Sequence, residues 1–74
     1  MTRLPTVSAQ QVLSALQKAG FQITHQRGSH VRLVHQITRI KTVIPLHPGD
    51  MSRPLLKKII KQCNLSEQQF RELL

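Results

Sequence analysis

The chain has 74 residues, with 11 Lys and Arg against three Asp and Glu and a formal net charge of +8 at pH 7. A chain of this length buries about 60% of the surface that its unfolded form exposes, which excludes two domains and a deep substrate cavity. We therefore expect one domain over residues 1–74, with an anionic partner and a shallow functional site on its surface.

The first two predicted elements are a helix over residues 8–19 and a strand that begins at Phe21. Apolar residues recur at helical spacing in the first, Ser8 and Gln11 have the spacing of a capping box, and Gly20 supplies the stop. After Gly20 the pattern alternates, which is typical of a half-buried strand. The apolar face of this strand is predicted to carry Phe21, Ile23 and His25.

Two further strands are predicted after a turn at residues 27–29. The second strand runs over residues 30–35, with Val31 and Leu33 facing inward. After a turn near residues 36–37, alternation predicts a third strand that Pro45 ends. Its inward residues are predicted to be Ile40, Thr42 and Ile44, and its outward residues Arg39, Lys41 and Val43.

The last two predicted elements are helices. One starts near Ser52 and ends at Asn64, and a short one follows Ser66, which repeats the capping-box spacing with Gln69 and leads to Leu74. The order α-β-β-β-α-α predicts an α+β fold with one three-stranded antiparallel sheet, one face of which is covered by helices.

The expected location is the cytoplasm. The single cysteine, Cys63, allows no internal disulfide, which favours a reducing compartment. The longest apolar runs, such as residues 43–46, are much shorter than the ~18 residues of a membrane span. Residues 1–5 lack the apolar stretch of a secretory signal. We therefore expect no membrane partner.

The uncovered face of the sheet is the predicted functional surface, because the three strands lie in the part of the chain that has no acidic residue. Residues 1–49 contain six basic and no acidic residues, whereas residues 50–74 contain five basic and three acidic ones. Such a face complements a phosphodiester backbone. It has no aromatic platform for stacking bases, since Phe21 and Phe70 both follow the apolar periodicity of the core. The residues predicted on this face are Gln22, Thr24, Gln26, His30, Arg32, Arg39 and Lys41.

His30 is the candidate for chemistry on that face, because it follows a turn that contains glycine and begins a strand. Histidine suits proton transfer near neutral pH, and Arg32, Arg39 or Lys41 could stabilise a charged phosphorane. Gly28 allows a close approach of the backbone to a phosphate, and Ser29 offers a hydroxyl and an N–H. The alternative is that residues 28–29 form an ordinary turn and His30 is a solvated strand residue.

Other reactive side chains give weaker signals. His25, His30 and His35 have odd spacings that send successive side chains to opposite faces of a strand, so no metal site and no cofactor are predicted. Cys63 continues an apolar stripe and is predicted to be buried and inert. His47 is expected to be exposed in a loop, and the lysines of the second helix are expected to be its solvated side: Lys57, Lys58 and Lys61.

Five segments of the chain together carry a resemblance to a known family: Lys18-Ala19-Gly20-Phe21, Arg27-Gly28-Ser29-His30, Val43-Ile44-Pro45-Leu46-His47, and residues 55–62 and 65–70. Through these segments the chain resembles the HicA family of mRNA-interferase toxins over nearly its whole length. The sequence differs from the family where the second helix opens, because Arg53-Pro54 stands in place of a frequent Gly-Thr or Gly-Ser pair.

This resemblance implies a fold similar to the double-stranded-RNA-binding domain and cleavage of mRNA without metal. It also implies that His30 is the catalytic residue and that a cognate HicB-type antitoxin covers the site. Two alternatives stay open: a non-catalytic RNA-binding module of the same fold, and a small interaction protein whose basic face docks an acidic partner.

Overall fold

The computed structural model describes residues 4–74 and contains in this range three helices and three strands. They are α1 (Ala9–Lys18), β1 (Phe21–Arg27), β2 (His30–His35), β3 (Lys41–Pro45), α2 (Arg53–Gln62) and α3 (Glu67–Leu73). The strands form one antiparallel sheet in the order β1-β2-β3. The predicted α+β class is confirmed, and the arrangement fits the fold of a double-stranded-RNA-binding domain. No helix within residues 4–74 is long and apolar enough to cross a membrane.

The helices begin where the sequence predicts, because side chains satisfy their first backbone N–H groups. Ser8 Oγ accepts the Gln11 N–H at 3.2 Å, and Gln11 Oε1 accepts the Ser8 N–H at 2.8 Å. Ser66 and Gln69 form the same reciprocal pair at the start of α3, at 3.0 and 2.8 Å. Each such cap contributes about 1 kcal/mol to helix stability, so these residues determine both boundaries locally.

The end of α2 is set by Asn64, as predicted. Asn64 has a φ of 59°, and its N–H donates to the Lys61 carbonyl at 3.1 Å. The Leu65 N–H donates to the Ile60 carbonyl at 3.1 Å, which completes a Schellman motif. Asparagine is among the few residues that tolerate this left-handed conformation, which explains why the helix ends there.

Arg53, the first residue of α2, forms hydrogen bonds to the segment before α1. Its Nε donates to the Leu4 carbonyl at 3.1 Å, and Nη2 lies 3.4 Å from the Thr6 hydroxyl. Pro54 lies in the first turn, where a missing backbone N–H costs nothing. The Arg53-Pro54 pair therefore has a structural role in holding the N-terminal segment against α2.

The core lies between the helices and one face of the sheet. Val31 and Leu33 of β2 point into it, and Phe70 of α3 is fully buried. The prediction that both phenylalanines are core residues is confirmed, since Phe21 is buried as well. The buried helix residues that pack against the sheet include Val12, Leu13, Leu16, Leu56, Ile59 and Ile60.

His35, the last residue of β2, lies at the end of the sheet where β1 begins and forms hydrogen bonds to the chain on both sides. Its Nε2 lies 3.0 Å from the Ala19 carbonyl, while Nδ1 accepts the N–H groups of Ile37 and Thr38, both at 3.1 Å. This pattern places the ring proton on Nε2. Gly20 packs so closely that a Cβ there would lie 2.8 Å from Nε2, and its φ of 107° also favours glycine. His35 is therefore a structural residue joining the α1–β1 junction to the β2–β3 connection.

Cys63 is buried, as predicted, and its thiol makes folding sensitive to alkaline pH. Burial raises the pKa of this thiol from 9.0 to about 11, although a hydrogen bond with Thr42 opposes the shift. Between these values the unfolded chain loses a proton that the folded chain keeps, so stability falls by about 1.4 kcal/mol per pH unit. We expect the unfolding free energy in urea to fall more steeply from pH 9 to 11 for the wild type than for Cys63→Ala. All other ionisable groups are the same in the two proteins, so only the thiol can make their slopes differ. Equal slopes would therefore contradict this assignment.

Candidate functional site

The open face of the sheet is the face that the helices leave uncovered. On β2, Val31 and Leu33 are buried against the helices, whereas His30 and Arg32 are exposed and point the other way. Residues paired with His30 and Arg32 on the neighbouring strands share this open face, because directly opposite side chains in an antiparallel ladder lie on the same side. The predicted outward orientation of His30 and Arg32 is therefore confirmed.

A β-bulge in β1 changes which of its side chains reach the open face. Ile23 pairs with Leu33, but the next paired residue of β1 is His25, opposite Arg32, and Arg27 then pairs with His30. One extra residue between Ile23 and His25 reverses the alternation of everything that follows. His25 and Arg27 consequently lie on the open face.

Two predictions for β1 were therefore wrong. His25 was expected on the apolar face but lies opposite exposed Arg32, and Gln26 was expected on the open face but pairs with buried Val31. Thr24 is the extra residue of the bulge, and its hydroxyl lies 3.5 Å from the Arg32 carbonyl. Gln22, opposite Val34, keeps its predicted place on the open face, and Phe21 and Ile23 keep theirs on the inner face, since all three precede the bulge.

Four side chains line one depression on the open face, with a volume of about 440 Å³. They are His25 and Arg27 from β1 and His30 and Arg32 from β2. All four are exposed. The depression is polar and open to solvent, unlike the enclosed, mostly apolar pockets that bind small molecules.

The turn between β1 and β2 connects two residues that line this depression, Arg27 and His30. Gly28 has a φ of 58°, and positive φ at the first of two turn residues, with glycine there, is the pattern of a type II′ hairpin. Apart from Gly28 itself and its two chain neighbours, no residue has an atom within 4 Å of the position that a Gly28 Cβ would occupy, so the backbone is open to an approaching group. The Ser29 carbonyl accepts the Leu46 N–H, which holds the turn against the chain beyond β3.

Arg39 and Lys41 are not brought to the depression. β3 begins at Lys41 and not at Arg39, which lies in the β2–β3 connection with a φ of 64°, so its predicted place in the strand was wrong. Lys41 pairs with Val34, four residues along β2 from His30, or about 13 Å at the usual rise per residue. Lys41 instead lines a groove between β3 and α2 together with Lys58.

His47 and the lysines of α2 also lie away from the depression. His47 is exposed in the loop before α2 and lines a separate hollow with Ala9 and Leu55. Lys57, Lys58 and Lys61 are exposed on α2, as expected for the solvated side of an amphipathic helix.

The electrostatics of the depression favour an anion. Arg27 and Arg32 occupy diagonal positions of the two-strand ladder, so two positive charges that repel each other lie near one another on the open face. All three acidic residues are elsewhere, since Asp50 lies in the loop before α2 and Glu67 and Glu72 are on α3. A phosphate would remove the repulsion between the guanidinium groups, which bind such oxygens in bidentate geometry.

Chemically, the arrangement combines groups that can transfer protons with groups that can stabilise negative charge. Imidazole accepts or donates a proton near neutral pH, and guanidinium stays charged. Within residues 4–74, no group of three or more His, Cys, Asp or Glu side chains is placed to hold a metal ion.

The sequence contains little signal that His25 and Arg27, the two residues of the depression that were not predicted there, lie on the open face. Beyond Ile23, β1 has no apolar residue up to its end at Arg27, so no hydrophobic alternation fixes its orientation there. The density of polar residues in this stretch shows only that the strand leaves the core.

Comparison with known proteins gives one family match. A family model described as the HicA toxin of bacterial toxin-antitoxin systems matches residues 9–65. This range contains α1, all three strands and α2, and with them all four residues that line the depression. No curated protein matches the chain.

Proposed function

Because the chain belongs to the HicA toxin family of bacterial toxin–antitoxin systems, we propose that it is an endoribonuclease that cleaves mRNA without metal and so blocks translation. The observation that carries the proposal is the position of His30. It is exposed in a depression that also contains Arg27 and Arg32, with no carboxylate in the lining. An exposed imidazole between two guanidinium groups is suited to chemistry on a phosphodiester.

The proposed reaction is transesterification at phosphorus. The 2′-hydroxyl of the RNA loses its proton and its oxygen forms a bond to phosphorus, while the bond from phosphorus to the 5′-oxygen breaks and that oxygen gains a proton. The products are a 2′,3′-cyclic phosphate and a 5′-hydroxyl, and no water or redox partner is consumed. His30 acts as the general acid or the general base. Arg27 and Arg32 stabilise the additional negative charge of the phosphorane.

The remaining predicted site residues serve RNA binding in this proposal. Gly28 and Ser29 expose backbone to the phosphate, because no residue beyond the chain neighbours of Gly28 fills the position of a Cβ there. Arg32 binds the scissile phosphate, while Lys41 at the start of β3 and Arg39 in the β2–β3 connection contact the flanking backbone. Binding should therefore weaken strongly with salt, since each neutralised phosphate releases counterions.

The proposed protein partner is a cognate HicB-type antitoxin that covers the open face. A shallow, exposed depression can be blocked by a surface, and its excess of positive charge fits an acidic partner. The cytoplasm, where mRNA is translated, is the proposed location, and the buried free thiol of Cys63 suits its reducing conditions.

The experiment that tests the proposal is incubation of the purified protein with cellular mRNA in EDTA, at several salt concentrations. We expect cleavage products that end in a 2′,3′-cyclic phosphate and begin with a 5′-hydroxyl. Salt-sensitive binding without any cleavage would overturn the proposal in favour of a non-catalytic RNA-binding module. Absence of both would leave the basic face as a docking surface for an acidic protein.

A further inference from the structure

We propose that His25 is the second proton-transfer residue of the site and acts together with His30 on the same phosphodiester. The inference rests on the proposed ribonuclease function and adds to it the group that the reaction needs in addition to His30. It comes from the β-bulge, because only the extra residue before His25 turns this side chain to the open face.

The positions of the two histidines suit a shared substrate. His25 pairs with Arg32 and His30 with Arg27, so the two histidines occupy diagonal positions of the two-strand ladder. Diagonal neighbours of an antiparallel pair have Cα atoms about 7–8 Å apart. Both side chains line the same depression of about 440 Å³, which leaves space between them for a phosphate group.

The reaction requires two proton transfers, at opposite ends of the bond rearrangement. One imidazole takes the proton of the 2′-hydroxyl as its oxygen bonds to phosphorus. The other, in its imidazolium form, gives a proton to the 5′-oxygen as the bond from phosphorus to that oxygen breaks. The pair ends with its protons exchanged, so atoms and charge balance, and exchange with water restores the starting state.

The other side chains in the depression cannot fill the second position. Arg27 and Arg32 are the remaining lining residues, and guanidinium does not give up its proton in proteins. Carboxylates are absent from the lining, and His47 borders a different hollow. His25 is thus the titratable side chain that shares the depression with His30.

The test compares His25→Ala and His25→Gln with a matched control, Gln26→Ala. Gln26 is the next residue of β1 and is also exposed, but it pairs with Val31 on the helix-covered side. We expect both His25 variants to stay folded by circular dichroism and to lower kcat for a short RNA by about 10²–10⁴-fold with little change in KM. Gln26→Ala should cleave at the wild-type rate.

Two further measurements separate proton transfer from binding. The wild-type dependence of kcat/KM on pH should be bell-shaped, because the reaction needs one imidazole as base and the other as acid, and each single variant should lose one limb. An RNA with sulfur in place of the 5′-oxygen has a leaving group that needs no general acid. It should restore cleavage in the variant that lacks the acid and not in the variant that lacks the base, which assigns the two roles.

Specific outcomes would overturn the inference. A folded His25→Ala variant that cleaves as fast as Gln26→Ala would do so, as would one in which KM rises and kcat is unchanged, which indicates binding alone. Neither result affects the proposed ribonuclease, which fails only if the wild type itself leaves RNA intact.

Discussion

Replacement of His30 by alanine is expected to lower the rate of RNA cleavage by about 10²–10⁴-fold, the usual contribution of a positioned acid or base. His30 is exposed at the start of β2, so removing its imidazole leaves no cavity in the core. The folded state should therefore keep its stability while the chemistry is lost. The measurement is kcat/KM for a defined RNA together with the thermal midpoint of unfolding.

His47→Ala is the matched control for this experiment. His47 is also an exposed histidine near the end of the sheet, but it borders the hollow with Ala9 and Leu55 and not the depression of His30. Its removal should leave cleavage unchanged. In bacterial cells, growth should stop when the wild type or His47→Ala is expressed and continue with His30→Ala. A folded His30→Ala protein that still cleaves RNA would remove His30 from the mechanism.

The largest expected effect on stability is that of Phe70→Ala. Phe70 is fully buried, with 0% of its surface exposed, and it anchors α3 against the core. Truncating a buried phenylalanine costs about 3–5 kcal/mol, whereas a domain of this size has a total stability of about 4–11 kcal/mol. We expect Phe70→Ala to lose about 3–5 kcal/mol of its free energy of unfolding, as measured by urea titration followed by circular dichroism.

This prediction concerns a helix outside the range of the family match, which ends at residue 65. The burial of Phe70 nevertheless makes α3 part of the same core. Phe70→Leu should lose less stability because it keeps most of the buried volume, and Leu74→Ala should have a small effect because Leu74 is 45% exposed. A cooperative, wild-type transition for Phe70→Ala would show that α3 does not support the core.

The helices and the general fold were predictable because their signals are local. Ser8 with Gln11, Ser66 with Gln69, and Asn64 each act within a few residues, and the structure uses all of them as caps. The core faces of β2 and β3 were equally predictable, since alternation places their buried residues on one side.

The candidate site was only partly predictable because it depends on pairing between strands. His30 and Arg32 lie on a strand whose buried residues fix its orientation, so their exposure follows from the sequence. His25 and Arg27 depend on the bulge, which no apolar residue after Ile23 reveals. Arg39 was misplaced for a related reason: alternation alone does not show that the chain adopts a left-handed conformation there instead of starting β3.

The composition of β1 has a consequence for how such a protein can diversify. Phe21 is the only residue of this strand that is buried, and the six that follow it, including His25 and Arg27, are exposed. Substitutions in this stretch alter one wall of the depression without changing the packing that holds the domain together. A library randomised at the exposed positions of this stretch other than His25 is therefore expected to change the RNA preference of the proposed ribonuclease while thermal stability stays nearly constant.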